Sequence, residues 1–209
     1  VYSIMDVALS RYTTLTSRFQ HDRQNSLSFL KSGIETRSAI FNALIEQIER
    51  VAQRSDAPML LTGPTGAGKS FLAERIYQLR LSRHQVKGKF VAVNCATLRG
   101  DNAMSTLFGH VKGAFTGALT ARSGLLREAD GGILFLDELP EFERRVLDAL
   151  REPIESGEIH ISRTRAKISY PAQFQLVAAM NPSPTGHYQG NHNRCTPEQT
   201  LRYLGKLSG

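Results

Sequence analysis

The chain has 209 residues, 41% hydrophobic and 22% charged, which is enough apolar material for one large α/β domain, alone or with flanking pieces. Twenty-six Lys and Arg against 19 Asp and Glu leave a formal net charge of +7, compatible with a polyanionic partner, although the basic residues are scattered apart from short clusters at Arg144-Arg145 and Arg163-Thr164-Arg165-Ala166-Lys167. No apolar run approaches the ~18 residues of a membrane-spanning helix, the N-terminus lacks the basic-then-apolar order of a signal peptide, and Cys95 and Cys195 form no C-x-x-C pair, so a cytoplasmic, reducing setting is expected.

Residues 1–33 are rich in polar side chains, with Ile4, Val7, Ala8, Leu9, Tyr12, Leu15 and Phe19 close to a helical stripe. They predict a linker helix that ends at a joint near Gly33. Ile40, Phe41, Leu44, Ile45, Ile48 and Val51 then recur at helical spacing and predict a helix from about Arg37 to Gln53, packed on the domain that follows. Asp56-Ala57-Pro58 ends it and launches a strand at Met59-Leu60-Leu61.

Next comes Gly63-Pro64-Thr65-Gly66-Ala67-Gly68-Lys69-Ser70, ahead of the helix-like Phe71-Leu72-Ala73-Glu74-Arg75-Ile76-Tyr77. A strand that ends in a glycine-rich turn lets backbone N–H groups converge on an anion, and the following helix aims its positive end at the same point. The pattern G-x-x-x-x-G-K-[ST] in that context predicts a cradle for the phosphates of ATP. Lys69 would reach the β- and γ-phosphates, and Ser70 would offer its hydroxyl to Mg²⁺.

After the cradle a helix is predicted to about Arg83, and Phe90–Asn94 and Gly131–Glu138 read as buried strands of the parallel type in a right-handed βαβ arrangement. Glu141–Ser156 reads as a helix with Phe142, Val146, Leu147, Leu150 and Ile154 on one face. A further strand, Phe174–Met180, ends in Asn181, and residues 182–197 form a loop before a short helix from about Glu198 to Tyr203. Ligands of open α/β sheets sit beyond the carboxyl ends of the strands, which brings Asp137, Glu138 and Asn181 towards the phosphates. Asp137 then shares Mg²⁺ with Ser70, Glu138 orients a water for in-line attack on the γ-phosphate, and Asn181 senses that phosphate through its amide. His187, His192 and Cys195 are of zinc-ligand type, but no fourth ligand accompanies them, and they read as a polar loop.

These elements resemble the AAA+ ATPases, which implies a P-loop, three-layer α/β sandwich around a central, mostly parallel sheet. Within that class, residues 34 to about 131 resemble the sigma-54-dependent transcription activators, on Leu107-Phe108-Gly109-His110-Val111-Lys112 followed by the signature hexapeptide Gly113-Ala114-Phe115-Thr116-Gly117-Ala118. Phe29-Leu30-Lys31-Ser32-Gly33-Ile34 and Thr97-Leu98-Arg99-Gly100-Asp101 bring residues 1–131 nearest to the RNA-repair operon regulators of that family. The resemblance implies that the hexapeptide touches sigma-54 RNA polymerase, with Phe115 and Thr116 at its tip. From the residues alone, two glycines frame a turn presenting an aromatic ring and a hydroxyl. Asn94 matches the family position that holds the catalytic glutamate in check until nucleotide and partner are engaged.

From about residue 132 the likeness changes. Leu139-Pro140-Glu141-Phe142 through Gly157-Glu158, and Ala178-Ala179-Met180-Asn181-Pro182-Ser183-Pro184 through Gly209, resemble the magnesium-chelatase-like competence ATPases, a family implied to act on DNA in recombination. The chain reads as a hybrid: residues 1–33 a linker helix, residues 34–209 an AAA+ nucleotide-binding core, activator-like to about 131 and chelatase-like beyond. The resemblance implies ATP and Mg²⁺ as cofactors and assembly into a hexameric ring. AAA+ rings place an arginine finger across the subunit interface, and no arginine here matches the finger of either family. With no lid domain in the sequence either, ATP binding with slow turnover by the chain alone is the expectation.

Overall fold

A computed structural model of the chain describes residues 29–31, 36, 38–114, 118–163, 166–186 and 195–207. Most of the expected linker helix over residues 1–33 lies outside the described residues. Two compact units are distinguished, one ending at Ser55 and the other beginning at Asp56.

In the first unit, α1 spans Ala39–Arg54, one to two residues from the expected bounds. Ser38 caps it, its hydroxyl accepting from the Phe41 N–H at 3.3 Å, and the Ser55 N–H closes the last turn on the Val51 carbonyl at 3.0 Å. Its apolar residues divide by face: Ile45 and Ala52 are buried, while Ile40 stands 84% exposed.

In the second unit the chain enters β1 (Met59–Thr62), turns through the glycine-rich loop and runs into α2 (Lys69–Ser82). β2 (Phe90–Asn94) leads through a 3₁₀ turn at Cys95–Thr97 into α3 (Gly100–Phe108). A two-stranded ribbon follows, β3 (Gly109–His110) against β4 (Arg122–Ser123), and then a single helical turn, α4 (Leu125–Glu128). β5 (Ile133–Asp137), a 3₁₀ turn at Leu139–Glu141 and α5 (Arg144–Ser156) precede a second ribbon of β6 (Glu158–Arg163) and β7 (Ala166–Pro171). β8 (Gln175–Met180) completes the sheet, and α6 (Pro197–Leu204) is the last element.

The four sheet strands lie in the order β1-β8-β5-β2, and every pair is parallel. Parallel strands covered on both faces must be apolar on both faces, which is why β5 from Ile133 to Leu136 and β8 from Leu176 to Met180 read as continuous apolar runs rather than alternating ones. Ile133, Leu134, Leu136, Val177 and Ala179 are all fully buried. On one face Leu134 and Leu136 join Leu107 of α3, Leu126 of α4 and Val146 and Leu150 of α5 in a single cluster. The opposite side carries a ring ladder, Tyr77 of α2 to Phe90 at 5.5 Å between centroids and Phe90 to Phe135 at 5.9 Å. Helix, sheet and helix thus form the three layers of the expected sandwich.

The helix expected over Glu141–Ser156 is divided in two. Glu138 adopts a left-handed conformation with φ 55° and ψ 43°, turning the chain sharply after β5, and Pro140 suits the short 3₁₀ turn that follows. The regular helix therefore starts only at Arg144 and ends at Gly157, which caps it with φ 70°. The β6–β7 ribbon fills the stretch between α5 and β8, where the sequence reading placed only a basic cluster.

Candidate nucleotide-binding site

The loop between β1 and α2 is shaped by glycines in the left-handed region: Gly66 has φ 80° and Gly68, the N-cap of α2, has φ 78°. An ideal Cβ at either would meet no atom within 4 Å, so the backbone conformation rather than space calls for glycine. The loop folds on itself through the Ala67 N–H to the Pro64 carbonyl at 3.1 Å, and the Gly63 N–H reaches the Met180 carbonyl of β8 at 3.3 Å. β1 and β8 therefore deliver their C-terminal ends to the same point, at the N-terminus of α2.

There the sequence-predicted residues come together. Lys69 Nζ donates to the carbonyls of Gly63 at 2.9 Å and Pro64 at 3.0 Å and to Asn181 Oδ1 at 2.9 Å. All three acceptors are neutral, so none of them cancels the ammonium charge, and it can take an anion. Ser70 Oγ donates to Asp137 Oδ2 at 2.8 Å, and the second oxygen of that carboxylate accepts from the Glu138 N–H at 2.9 Å. A cavity of about 310 Å³ is bounded by these side chains together with Thr65, Gly66, Gly68 and Phe71.

The donor set fits the group that the motif implies. Asp137 and a bound polyphosphate would repel one another in this cavity, and a hard divalent cation between them would relieve that repulsion. The Ser70 hydroxyl and the Asp137 carboxylate are oxygen ligands of the kind Mg²⁺ takes.

Asn94 has a local role in the structure. Its Oδ1 accepts from the Ala96 N–H at 2.9 Å and caps the Cys95–Thr97 turn. In register it pairs with Asp137, so it lies one strand away from the residue before Glu138.

Of the hexapeptide, Phe115, Thr116 and Gly117 lie outside the described residues, as do His187 and His192. The flanks are described: the Gly113 N–H donates to the Ala118 carbonyl at 2.8 Å, closing the loop at its base, and the β3–β4 ribbon carries it. His110 Nδ1 lies 2.7 Å from Ser105 Oγ, tying that ribbon back to α3.

Three features escaped the sequence reading. Cys95 is a buried thiol behind the acidic pair; burial, reinforced by the charges of Asp137 and Glu138, raises its pKa well above the ordinary cysteine range. Gly186, with φ 84°, brings the loop after β8 so close to the glycine-rich turn that a Cβ there would lie 2.9 Å from Thr65 Oγ1. Tyr203 of α6 is buried. Burial above all, helped by the charges of Glu141 and Glu138, raises its pKa against the opposing effect of the Asn181 backbone.

A parallel sheet with helices on both faces, a glycine-bent loop opening a helix at a strand end and an acid at the end of the strand beyond its neighbour define a P-loop α/β fold of the AAA+ class. The family model for magnesium chelatase, subunit ChlI, matches residues 45–209, and the chain belongs to that family. It is also 57% identical over 176 residues to the transcriptional regulatory protein RtcR of Escherichia coli (strain K12), a match covering 84% of this chain and 33% of that protein. Against the competence protein ComM of Haemophilus influenzae it is 45% identical over 176 residues, covering 76% of this chain and 33% of ComM. Among solved structures, NtrX from Brucella abortus in complex with ATP superposes with a TM-score of 0.57 at 26% identity, over 83% of this chain and 35% of NtrX. The chain thus resembles both a transcriptional regulator and a competence protein, and it spans about a third of the length of the curated relatives it matches.

Proposed function

We propose that the chain is the ATP-binding AAA+ module of a sigma-54-dependent transcriptional activator, which uses ATP to remodel sigma-54 RNA polymerase through the loop Gly113–Ala118. The observation that carries the nucleotide half of this reading is the convergence of Lys69, Ser70, Asp137 and Asn181 on one cavity at the N-terminus of α2. The signature hexapeptide on its ribbon and the likeness to RtcR support the partner half.

In this reading the backbone N–H groups from Thr65 to Ser70 bind the phosphates, and Lys69 exchanges its carbonyl partners for the β- and γ-phosphate oxygens. Mg²⁺ held by Ser70 and Asp137 neutralises phosphate charge when bound. Glu138, held at the strand end by its left-handed backbone, accepts a proton from the attacking water. Asn181, bonded to Lys69 and following β8, registers whether a γ-phosphate is present. Asn94, one strand away, restrains Glu138 until partner and nucleotide are engaged. Self-association into a hexameric ring completes the site, and turnover by the separate chain is slow.

The deciding experiment is pull-down of sigma-54 by the purified chain with an ATP transition-state analogue. Nucleotide-dependent capture that Thr116→Ala abolishes supports the reading; capture of equal strength without nucleotide, or none with it, overturns the partner half.

A second reading, a magnesium-chelatase-like ATPase acting on DNA, is favoured by the family match over residues 45–209 and by the likeness to ComM. Nucleotide-dependent binding to branched DNA without affinity for sigma-54 would select it. A third reading is a hydrolysis-deficient hybrid, which a flat ATPase assay over a wide range of protein concentration would support.

A further inference from the structure

We infer that Phe71 is the stacking platform for the base of the nucleotide, its ring held by Arg75 one turn further along α2, so that the site takes a nucleoside triphosphate rather than a bare chain of phosphates. The inference deepens the ATP-binding reading of Gly63–Ser70 and rests on it.

α2 divides by face. Ala73, Ile76 and Leu79 are buried and serve the core, whereas Phe71, Arg75 and Gln78, at i, i+4 and i+7, share the other side of the helix. Phe71 is therefore not a core residue, and it remains 44% exposed. A single exposed ring on open surface would need no explanation, but this one lines the cavity that gathers Lys69, Ser70, Asp137 and Asn181. Of the described residues that bound the cavity, Phe71 alone carries a wholly apolar side chain.

That contrast points to the nucleoside. On the ATP reading Lys69 serves phosphate, Ser70 and Asp137 serve the metal, Glu138 serves water and Asn181 serves the γ-phosphate. None of these polar groups matches the flat apolar faces of a purine, and an aromatic ring does. Base–aromatic stacking needs no hydrogen-bond readout, since every base has a π-face.

The ring is also held. The Arg75 guanidinium lies over it, 5.9 Å from the centroid, and donates to Gln78 Oε1 at 3.2 Å. With the cation over one face, a base would take the other, and a ring restrained in advance gives up little freedom when it stacks. The order along α2 agrees with this placement. The Lys69–Asn181 and Ser70–Asp137 bonds mark the γ end of the cradle on the same reading, and Phe71 follows both residues. The Leu72 N–H opens the helical ladder by donating to the Gly68 carbonyl at 2.9 Å, so Phe71 still belongs to the first turn, whose N–H groups face the anion.

The test is calorimetric titration of the full chain with ATP and with inorganic tripolyphosphate, both with Mg²⁺, because the two ligands share the phosphates and differ in the nucleoside. Phe71→Ala is expected to weaken ATP binding about tenfold while tripolyphosphate binding stays within about twofold. The chain contains no tryptophan, so Phe71→Trp adds a single reporter that keeps a stacking face. Its emission is expected to be quenched by ATP and to stay unchanged with tripolyphosphate. Equal weakening of both ligands in Phe71→Ala, weakening of neither, or an indole that responds alike to both would overturn the platform while leaving the cradle intact. Self-association that Phe71→Ala weakens with ATP affinity untouched would assign the ring to contact between copies and overturn the platform also. Failure of the unaltered chain to bind either ligand would instead overturn the cradle, and the platform with it.

Discussion

Lys69 Nζ and Asn181 Oδ1 lie 2.9 Å apart, joining the first residue of α2 to the residue that follows β8 across 112 positions of sequence. The bond shows that the lysine is already aimed into the cavity by the strand it must face. Removing it with Lys69→Met deletes the cation and leaves the loop backbone in place. Hydrogen bonds to charged groups contribute about 1.5–3 kcal/mol each, so ATP affinity is expected to fall roughly 10- to 100-fold in calorimetric titration. The thermal midpoint without nucleotide should change little, because the acceptors of Lys69 among the described residues are neutral oxygens at the cavity wall.

The Ser70–Asp137 contact leads to a prediction about metal. Asp137→Asn can keep the acceptor for the Glu138 N–H and turn its amide nitrogen towards Ser70, so the site retains its shape but loses a charge. The unaltered chain should bind ATP more tightly with Mg²⁺ than with EDTA. In Asp137→Asn that increment should shrink about tenfold, measured by the same titration at fixed ionic strength. An equal metal dependence in both proteins would remove Asp137 from the metal shell.

Much of this arrangement was legible in the sequence, because the glycine-rich turn is contiguous and each distant partner ends an apolar run. Gly63 to Ser70 form one contiguous glycine-rich turn, and Asp137, Glu138 and Asn181 are betrayed by ending apolar runs. Strand and helix positions followed from the same runs to within a few residues. The β6–β7 ribbon went unread because the alternation of Ile159 and Ile161 with His160 and Ser162 is short, and the basic cluster beside it drew attention to charge. The β3–β4 strands are two residues long and owe their pairing to tertiary context, which leaves no periodic signal. Tyr203 and Cys95 are equally silent, since nothing in their own neighbourhoods states that either is buried.

The hexapeptide offers a prediction that separates partner binding from nucleotide binding. The loop base is closed by the Gly113 N–H on the Ala118 carbonyl, and its ribbon is tied to α3 through His110 and Ser105. Thr116→Ala removes the hydroxyl and the γ-methyl and alters none of the residues in those attachments. On the proposed activator reading, sigma-54 binding in the presence of nucleotide is expected to drop at least tenfold by surface plasmon resonance, while ATP affinity stays within twofold. A parallel loss of both would mean that the substitution disturbs the fold rather than the contact.

Leu134 and Leu136 are both fully buried and join the same cluster as Leu107, Val146 and Leu150. Truncating either to Ala removes packed atoms from a sheet covered by helices, where the surroundings close poorly over a gap. A loss of about 2–5 kcal/mol is expected in urea unfolding, with the slope unchanged. Leu119→Ala, at a position 80% exposed, is expected to stay within about 0.5 kcal/mol and serves as the control.

Cys95 predicts how stability responds to alkaline pH. Its thiol is raised by burial first and then by the charges of Asp137 and Glu138, so it stays protonated in the folded chain well above the ordinary cysteine value of about 8.5. In the unfolded chain it ionises near that ordinary value. The folded state then binds more protons than the unfolded state as pH climbs, and stability falls with rising pH. The contribution is fully present below about pH 8 and is progressively lost above about pH 9. Urea midpoints measured from pH 7 to 10 should therefore decline more steeply for the unaltered chain than for Cys95→Ala, whose side chain cannot ionise. The folded chain should also resist iodoacetamide at Cys95 at pH 8 and become reactive there once unfolded. Equal slopes in the two proteins, with rapid alkylation of the folded chain at Cys95, would show that the thiol is neither buried nor raised.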